Sequence, residues 1–287
     1  MNWLLLTLLA ITARAAYSLG TKLLSRDIKV SPQTQSLLLT FTSGLLAVII
    51  SPFIGGINLN GVSQHLLPII FIILASVFGN IIYFKGQKLL DTGTTQIAFS
   101  SILIWGTILS IIFLGSKFSL PQVIGVMIMI FAIVLVQNIK SGIAINLSVL
   151  YIIISALLFA IFQVASASIS SSINTGIYLL LSYFGTALII FLFNIKKIGE
   201  DFKKLQLQIA NVFLKTLFAS GTSLLYFIFS YLAYRYAPDR GIVVILLTAQ
   251  VVLSVIFGFL FLKERDHVTK KLLAGLLAFI AGILIKS

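Results

Sequence analysis

The sequence predicts an all-α polytopic membrane protein, with ten transmembrane helices arranged as two inverted five-helix repeats around a central cavity. Three observations carry this expectation: ten apolar stretches of spanning length, short loops between them, and a register in which the two halves align. Crossing a hydrocarbon core of roughly 30 Å takes about 20 helical residues at 1.5 Å each. The 287 residues supply such runs back to back, 59% of them hydrophobic and only 9% charged. Mean hydropathy is +1.13. Backbone amides in lipid have no water to bond, so runs of this kind must be helices.

The first span covers approximately 3–24. Residues 1–13 lack the Lys or Arg of a secretory leader, so this span is read as a retained helix. Ser31-Pro32 opens the second span, 33–54, and Gly55-Gly56 closes it. Spans at 66–86, 94–114 and 120–139 complete the first half, punctuated by Asp91-Thr92-Gly93 and Leu120-Pro121. The second half holds spans at 147–170, 176–194, 211–236, 240–262 and 270–286, with turns at Asn174-Thr175-Gly176 and Pro238-Asp239. Most loops are short, so neighbouring spans are antiparallel hairpins. The long connection from Asn194 to Ala210 mixes lysines with apolar residues, the pattern of a segment lying on a membrane surface.

The net charge of +13 would suggest nucleic acid in a soluble protein. Here the cations sit in short loops beside apolar spans, where anionic lipid headgroups attract them, so no nucleic-acid partner is expected. Loops 1–2, 3–4, 5–6, 7–8 and 9–10 with their flanks hold 15 of the 20 Lys and Arg, the opposite side holds four, and Arg14 lies within a span. Cationic loops resist translocation. The bias therefore predicts a multi-pass protein of the plasma (inner) membrane with both termini outside. There is no cysteine, and His65 and His267 sit at helix edges, so no metal and no cofactor is expected.

A shift of 148 residues places Tyr83 on Tyr231, Asp91 on Asp239, Gly93 on Gly241 and Phe113-Leu114 on Phe261-Leu262. Thr7 falls on Ser155 and Ser18 on Ser166 in the same register. Residues 1–145 and 146–287 thus form two five-span units of one membrane domain. Five is odd, so the second unit enters the membrane in the opposite sense. Inverted repeats of this kind occur in transporters, with the substrate site between the halves.

Ten short helices in a five-plus-five repeat, with Phe261-Leu262-Lys263-Glu264 ending span nine, resemble the drug/metabolite transporter superfamily in its EamA-like branch. The resemblance covers the whole chain. It implies a cavity lined by spans three, four, eight and nine, together with one and six, while five and ten pack peripherally. Relatives often carry Glu-Pro about 14 residues before the Glu that ends span nine, where this chain has Gln250-Val251. The first half has Ile102-Leu103 at the equivalent place, and Ser116 stands where the Glu would be. The resemblance therefore carries no proline-bent helix to these sites. Many relatives also keep their termini in the cytoplasm; the charge bias of this chain points the other way.

Arg14 is the sharpest candidate for a functional residue. An arginine at the centre of a span costs roughly 2.5–3.5 kcal/mol on insertion scales, so it should face protein or water. Thr7, Tyr17, Ser18 and Thr21 share its stripe. A planar guanidinium matches a carboxylate or phosphate, which makes Arg14 an anchor for an anionic or zwitterionic substrate. The competing reading is a structural arginine bonded to carbonyls or snorkelling to a helix end. Asn80 and Tyr83 on span three, Gln96 and Trp105 on span four, and Gln163 and Ser166 on span six are further substrate-binding candidates. Tyr226 and Ser230 on span eight and Gln250 on span nine complete the set. Isolated hydroxyls in membrane helices mostly bond their own backbone, so the amides are the more informative members. Gln87 and Arg235, aligned by the repeat, are gate candidates, with snorkelling anchors as the bland alternative.

Asp27, Asp91, Glu200, Asp201, Asp239, Glu264 and Asp266 all fall in loops or at span ends, which argues against carboxylate-based proton antiport of cations. An enzyme would need nucleophiles or paired acids at membrane depth, and these are missing. A passive channel would need a ring of repeated polar residues, also missing. The leading reading is a secondary transporter of a small polar or amphipathic metabolite, an amino acid or related organic anion. The alternative is a lipid flippase or scramblase of the same fold. Ala274, Ala278 and Gly282 offer a small-residue face, expected to pack within a monomer rather than build a dimer.

Overall fold

The structure is a computed structural model that describes residues 2–54, 56–114, 119–136, 146–169, 172–205, 209–236, 246–247 and 249–286. Every regular element among the described residues is helical. In chain order these are α1 (Trp3–Asp27), α2 (Pro32–Ile50), α3 (Leu66–Gln87), α4 (Thr92–Phe99), α5 (Ile102–Leu114), α6 (Leu120–Val136), α7 (Leu147–Ile169), α8 (Thr175–Leu205), α9 (Ile209–Tyr236), α10 (Gln250–Leu262) and α11 (Val268–Lys286). Side-chain oxygens cap the starts that the sequence marks. Asn2 accepts from the amide of Leu4 at 3.0 Å, Ser31 from Thr34 at 3.3 Å, and Asp91 from Thr94 at 2.9 Å.

Among the described residues, seven helical segments are long and apolar enough to cross a membrane: α1, α2 with the short 3-10 turn after it, α3 with the one before it, α7, α8, α9 and α11. α6 and α10 are shorter apolar helices. Polarity is inverted relative to a soluble protein. Leu5, Ile49, Met127 and Leu192 face outward, while Thr7, Gln35, Gln87 and Gln96 are fully buried. The molecule is a multi-pass α-helical membrane protein.

Four helix pairs dominate: α1 with α9, α3 with α7, α6 with α11 and α2 with α8. Small residues allow the closest approaches. A Cβ on Gly20 of α1 would lie 2.9 Å from the Cα of Ala219 on α9. Ala274, Ala278 and Ala281 of α11 are buried within the chain in one cluster with Met129 and Ala132 of α6, so this small-residue face is occupied by α6.

Two elements depart from the sequence expectation. The span expected over 94–114 is broken at Ser100-Ser101 into α4 and α5. The Ser101 amide turns back to the Ala98 carbonyl at 3.2 Å, and the Ser100 hydroxyl takes the Gln96 carbonyl at 2.9 Å. Serine side chains that compete for backbone acceptors loosen a helix in this way without proline or glycine. The Ala249 amide makes the corresponding bond to the Leu246 carbonyl, 3.0 Å, just before α10. The other departure is α8, which continues past the expected end at 194 to Leu205 through a kink at Asn194, φ −127° and ψ 21°. Asp201, expected in a loop, is instead buried on this extension.

At one end of the bundle the cationic loops are tied together. Lys22 Nζ on α1 donates to the carbonyls of Gln87, 2.8 Å, and Leu90. Asp27 pairs with Lys215 at 2.6 Å, and Asp91 with Lys271 at 3.2 Å. Glu264, after α10, accepts from the amide of Thr92 at 2.9 Å and its hydroxyl at 3.1 Å. Asp201 accepts from the Ser31 amide and the Thr34 hydroxyl, each at 2.8 Å. The charge asymmetry of the sequence is thus a spatial one. Loop 5–6 lies outside the described residues.

Candidate functional site

Within the bundle is a cavity of about 100 Å³. One water needs on the order of 10–15 Å³ on this measure, so the hollow has room for several waters or a small solute. α1 contributes Arg14 and Tyr17, α2 Leu39 and Thr40, and α3 Ser76, Asn80 and Tyr83. Phe99 and Ile102 reach it from the two sides of the α4–α5 break. Phe159 and Phe162 come from α7, Tyr178, Leu179, Ser182 and Tyr183 from α8, and Ser223, Tyr226 and Phe227 from α9. The lining is largely aromatic, with one cation.

The Arg14 guanidinium carbon lies 4.9 Å from the ring centre of Tyr17, 5.3 Å from Phe99 and 5.1 Å from Tyr226. Three π faces on three helices hold it inside the bundle, so it does not snorkel. Among the described residues no carboxylate pairs with it and no side chain or carbonyl accepts its hydrogen bonds. Its five N–H donors are therefore available to a ligand. A guanidinium that keeps its charge and its donor fork is suited to a carboxylate or phosphate.

Polar side chains fix the groups around it. Asn80 Nδ2 donates to the Ser76 carbonyl at 2.8 Å and to its hydroxyl at 3.1 Å. The Tyr83 hydroxyl accepts from Gln96 Nε2 at 2.9 Å and from Gln87 Nε2 at 3.4 Å. Gln87 also donates to Thr21 Oγ1 at 3.0 Å, joining α3 to α1 between the cavity and the cationic end. Tyr178 and Ser166 hydroxyls meet at 2.7 Å, and those of Tyr183 and Ser223 at 3.3 Å.

Of the residues expected from sequence, Arg14, Tyr17, Asn80, Tyr83 and Tyr226 line the cavity together. Gln96, Gln87 and Ser166 stand one layer behind, each bonded to a lining tyrosine or to its neighbour. Ser18 is fully buried on α1 with its hydroxyl unbonded. The Ser230 hydroxyl returns to the Phe227 carbonyl of its own helix. Trp105 packs against the α6–α11 cluster, and the carbonyl oxygen of Gln250 is buried without a donor. Neither is among the lining residues. The side chains of Gln163 and Arg235 lie outside the described residues. Thr40 of α2 and Tyr178, Ser182 and Tyr183 of α8 also line the cavity outside the sequence expectation; the Tyr and Ser of 178–183 are a signal for α8, and Thr40 carries none. α10, the described helix of span nine, contributes no lining residue, whereas α2 and α8, outside the set the resemblance implied, do.

An inverted polarity, a bundle of spanning helices and an internal hollow around an unpaired cation define an integral multi-pass protein able to hold a small molecule. Residues 1–137 match the model of the EamA-like transporter family. None of the curated proteins matches the chain. A crystal structure of a protein at 15% sequence identity superposes with a TM-score of 0.63, over 98% of this chain and 95% of that one. The two chains share a fold over that length.

Proposed function

We propose that this chain is a secondary transporter that moves a small organic anion or zwitterion, such as an amino acid, by alternating access, with Arg14 as the substrate anchor. The observation that carries this reading is the guanidinium in the hollow, ringed by Tyr17, Phe99 and Tyr226 and opposed by no described acid. Tyr83, Asn80, Gln96 and Ser166 shape the polar wall. Ser18, Trp105, Gln163, Ser230 and Gln250 belong to the wider site that substrate movement exposes. Gln87 gates the cationic end and Arg235 the other.

Two inverted five-helix units, 1–145 and 146–287, are part of this proposal. Exchanging each span with the one five places on converts the α1–α9 pair into α7–α3, and leaves α6–α11 and α2–α8 unchanged, which supports a two-fold relation. The broken turns at Ser101 and Ala249, 148 residues apart, support it in detail. Helices interrupted at membrane depth are a recurrent feature of transporter sites. The cationic end is assigned to the cytoplasm, with both termini outside.

Proteoliposomes loaded or bathed with radiolabelled amino acids and organic acids test this reading. Uptake that is lost in Arg14→Ala, with the variant folded by gel filtration, is the expected result. Dithionite quenching of labelled lipid without solute uptake would replace the reading with a lipid scramblase.

A further inference from the structure

We infer that the extension of α8 beyond its kink, residues 195–205, is a docking surface for anionic phospholipid at the cationic end of the molecule. The break at Asn194 separates an apolar length of helix from one that reads Ile-Lys-Lys-Ile-Gly-Glu-Asp-Phe-Lys-Lys-Leu. Successive helical residues turn by about 100°, which sorts the ten side chains other than Gly199 onto three faces. Ile198, Asp201 and Leu205 share the first face and are buried against the body of the protein. Ile195 and Phe202 share the second and are 54% and 47% exposed. Lys196, Lys197, Lys203 and Lys204 occupy the third with Glu200.

Asp201 fixes the rotation of this segment. Its carboxylate receives the amide of Ser31 and the hydroxyl of Thr34, so the first face is pinned to the start of α2 and the apolar second face cannot roll inward. That face continues the lipid-facing row of the spanning part, in which Leu188 and Leu192, seven and three residues before Ile195, are exposed. Continuity with a row already in lipid identifies the occupant as the bilayer rather than a soluble partner. The lysines then sit beside the apolar strip at headgroup depth. Lys197 pairs with Glu200 at 3.3 Å and Lys204 with Asp201 at 3.6 Å, whereas Lys196 and Lys203 make no ion pair among the described residues. Two free ammonium groups over an embedded Ile and Phe match a leaflet carrying phosphate and net negative charge. The surface requires membrane insertion only, and is independent of the transport reading.

The absence of cysteine makes the test direct. Phe202→Cys in the full chain, labelled with bimane and reconstituted in phosphatidylcholine vesicles, is titrated with nitroxide-labelled phosphatidylglycerol or nitroxide-labelled phosphatidylcholine. Quenching by both lipids is expected, with the anionic one preferred at least about fivefold, the factor one lysine contributes at an anionic surface. Replacing Lys196, Lys197, Lys203 and Lys204 by Gln should abolish the preference and keep the quenching. Equal quenching by the two lipids in the unmodified background, or none by either, overturns the inference. Ile195→Cys on the same face serves as a second reporter should Phe202→Cys fail to fold.

Discussion

Arg14 on α1 lies 5.1 Å above the ring of Tyr226 on α9, joining a helix of the first half to one of the second through a cation and a π face. Tyr17 and Phe99 complete the enclosure. Cation–π contacts contribute about 0.5–2 kcal/mol each and leave the N–H donors free. A carboxylate would have held the cation more firmly but neutralised it. The rings therefore keep a charged hollow inside an apolar bundle. Phe99 is the last residue of α4, so the break after it is part of how the ring reaches the guanidinium.

Replacing Arg14 by Ala should weaken binding of an anionic substrate roughly 10- to 100-fold, the range for hydrogen bonds to charged groups. Arg14→Lys keeps the charge without the fork and should fall between. Tyr226→Leu should cost less than about tenfold, because two rings remain. Ligand-induced shifts of the unfolding temperature measure all three. An Arg14→Ala variant that binds organic anions normally would remove the anchor.

Gln87 stands between the cavity and the cationic end, its amide shared by Thr21 and Tyr83. Gln87→Ala removes this side-chain link from α3 to α1 and keeps the bond from Lys22 to the carbonyl of residue 87. A membrane-impermeant maleimide added from the cationic side should then label Ser76→Cys several-fold faster than in the background with Gln87 intact. Unchanged labelling would mean that closure lies elsewhere.

Most of the bundle is legible in the sequence because apolar run length translates directly into spans, and Arg14 stands out because a charge at that depth is costly. The break at Ser100-Ser101 is not, since it lies within an apolar run and lacks proline or glycine. Nor is the contribution of α8: Tyr178 and Tyr183 follow a turn, where tyrosine ordinarily marks a membrane interface. Hydroxyl and aromatic stripes show that a helix has a distinctive face but not which neighbour it meets. Ser230 bonds its own helix while Ser223, two turns earlier, meets Tyr183.

Asp201 satisfies the amide of Ser31 and the hydroxyl of Thr34 at the start of α2. Asp201→Ala orphans the Ser31 amide and leaves the Thr34 hydroxyl only the Ser31 hydroxyl, and should destabilise the protein by about 1–3 kcal/mol. Asp201→Asn retains one acceptor oxygen and should cost less. Thermal unfolding in detergent separates the two. Equal melting of Asp201→Ala and the parent would show that this contact contributes nothing to stability.

Glu264 is placed by the end of α10. Lys263 adopts the left-handed conformation, φ 58°, and the Glu264 amide returns to the Gly258 carbonyl at 3.1 Å, directing the carboxylate onto Thr92. A Cβ on Gly258 would stand 2.5 Å from Glu264 Oε2, so any larger residue there displaces the carboxylate. Gly258→Ala and Glu264→Ala should therefore couple by about 0.5–3 kcal/mol in a double-mutant cycle. Burial, and secondarily the neighbouring Asp91, raise the Glu264 carboxyl above its ordinary 4.5, against opposing contributions from Thr92 and Lys22. A carboxyl with a raised folded-state value binds its proton more tightly folded than unfolded. Its favourable contribution is complete below 4.5 and is lost as pH rises through the folded value. The unfolding temperature of the parent relative to Glu264→Gln should accordingly fall as pH increases from 4.5 toward neutrality. A difference that is flat or rises over that window would show that the Thr92 bonds outweigh burial at this carboxylate.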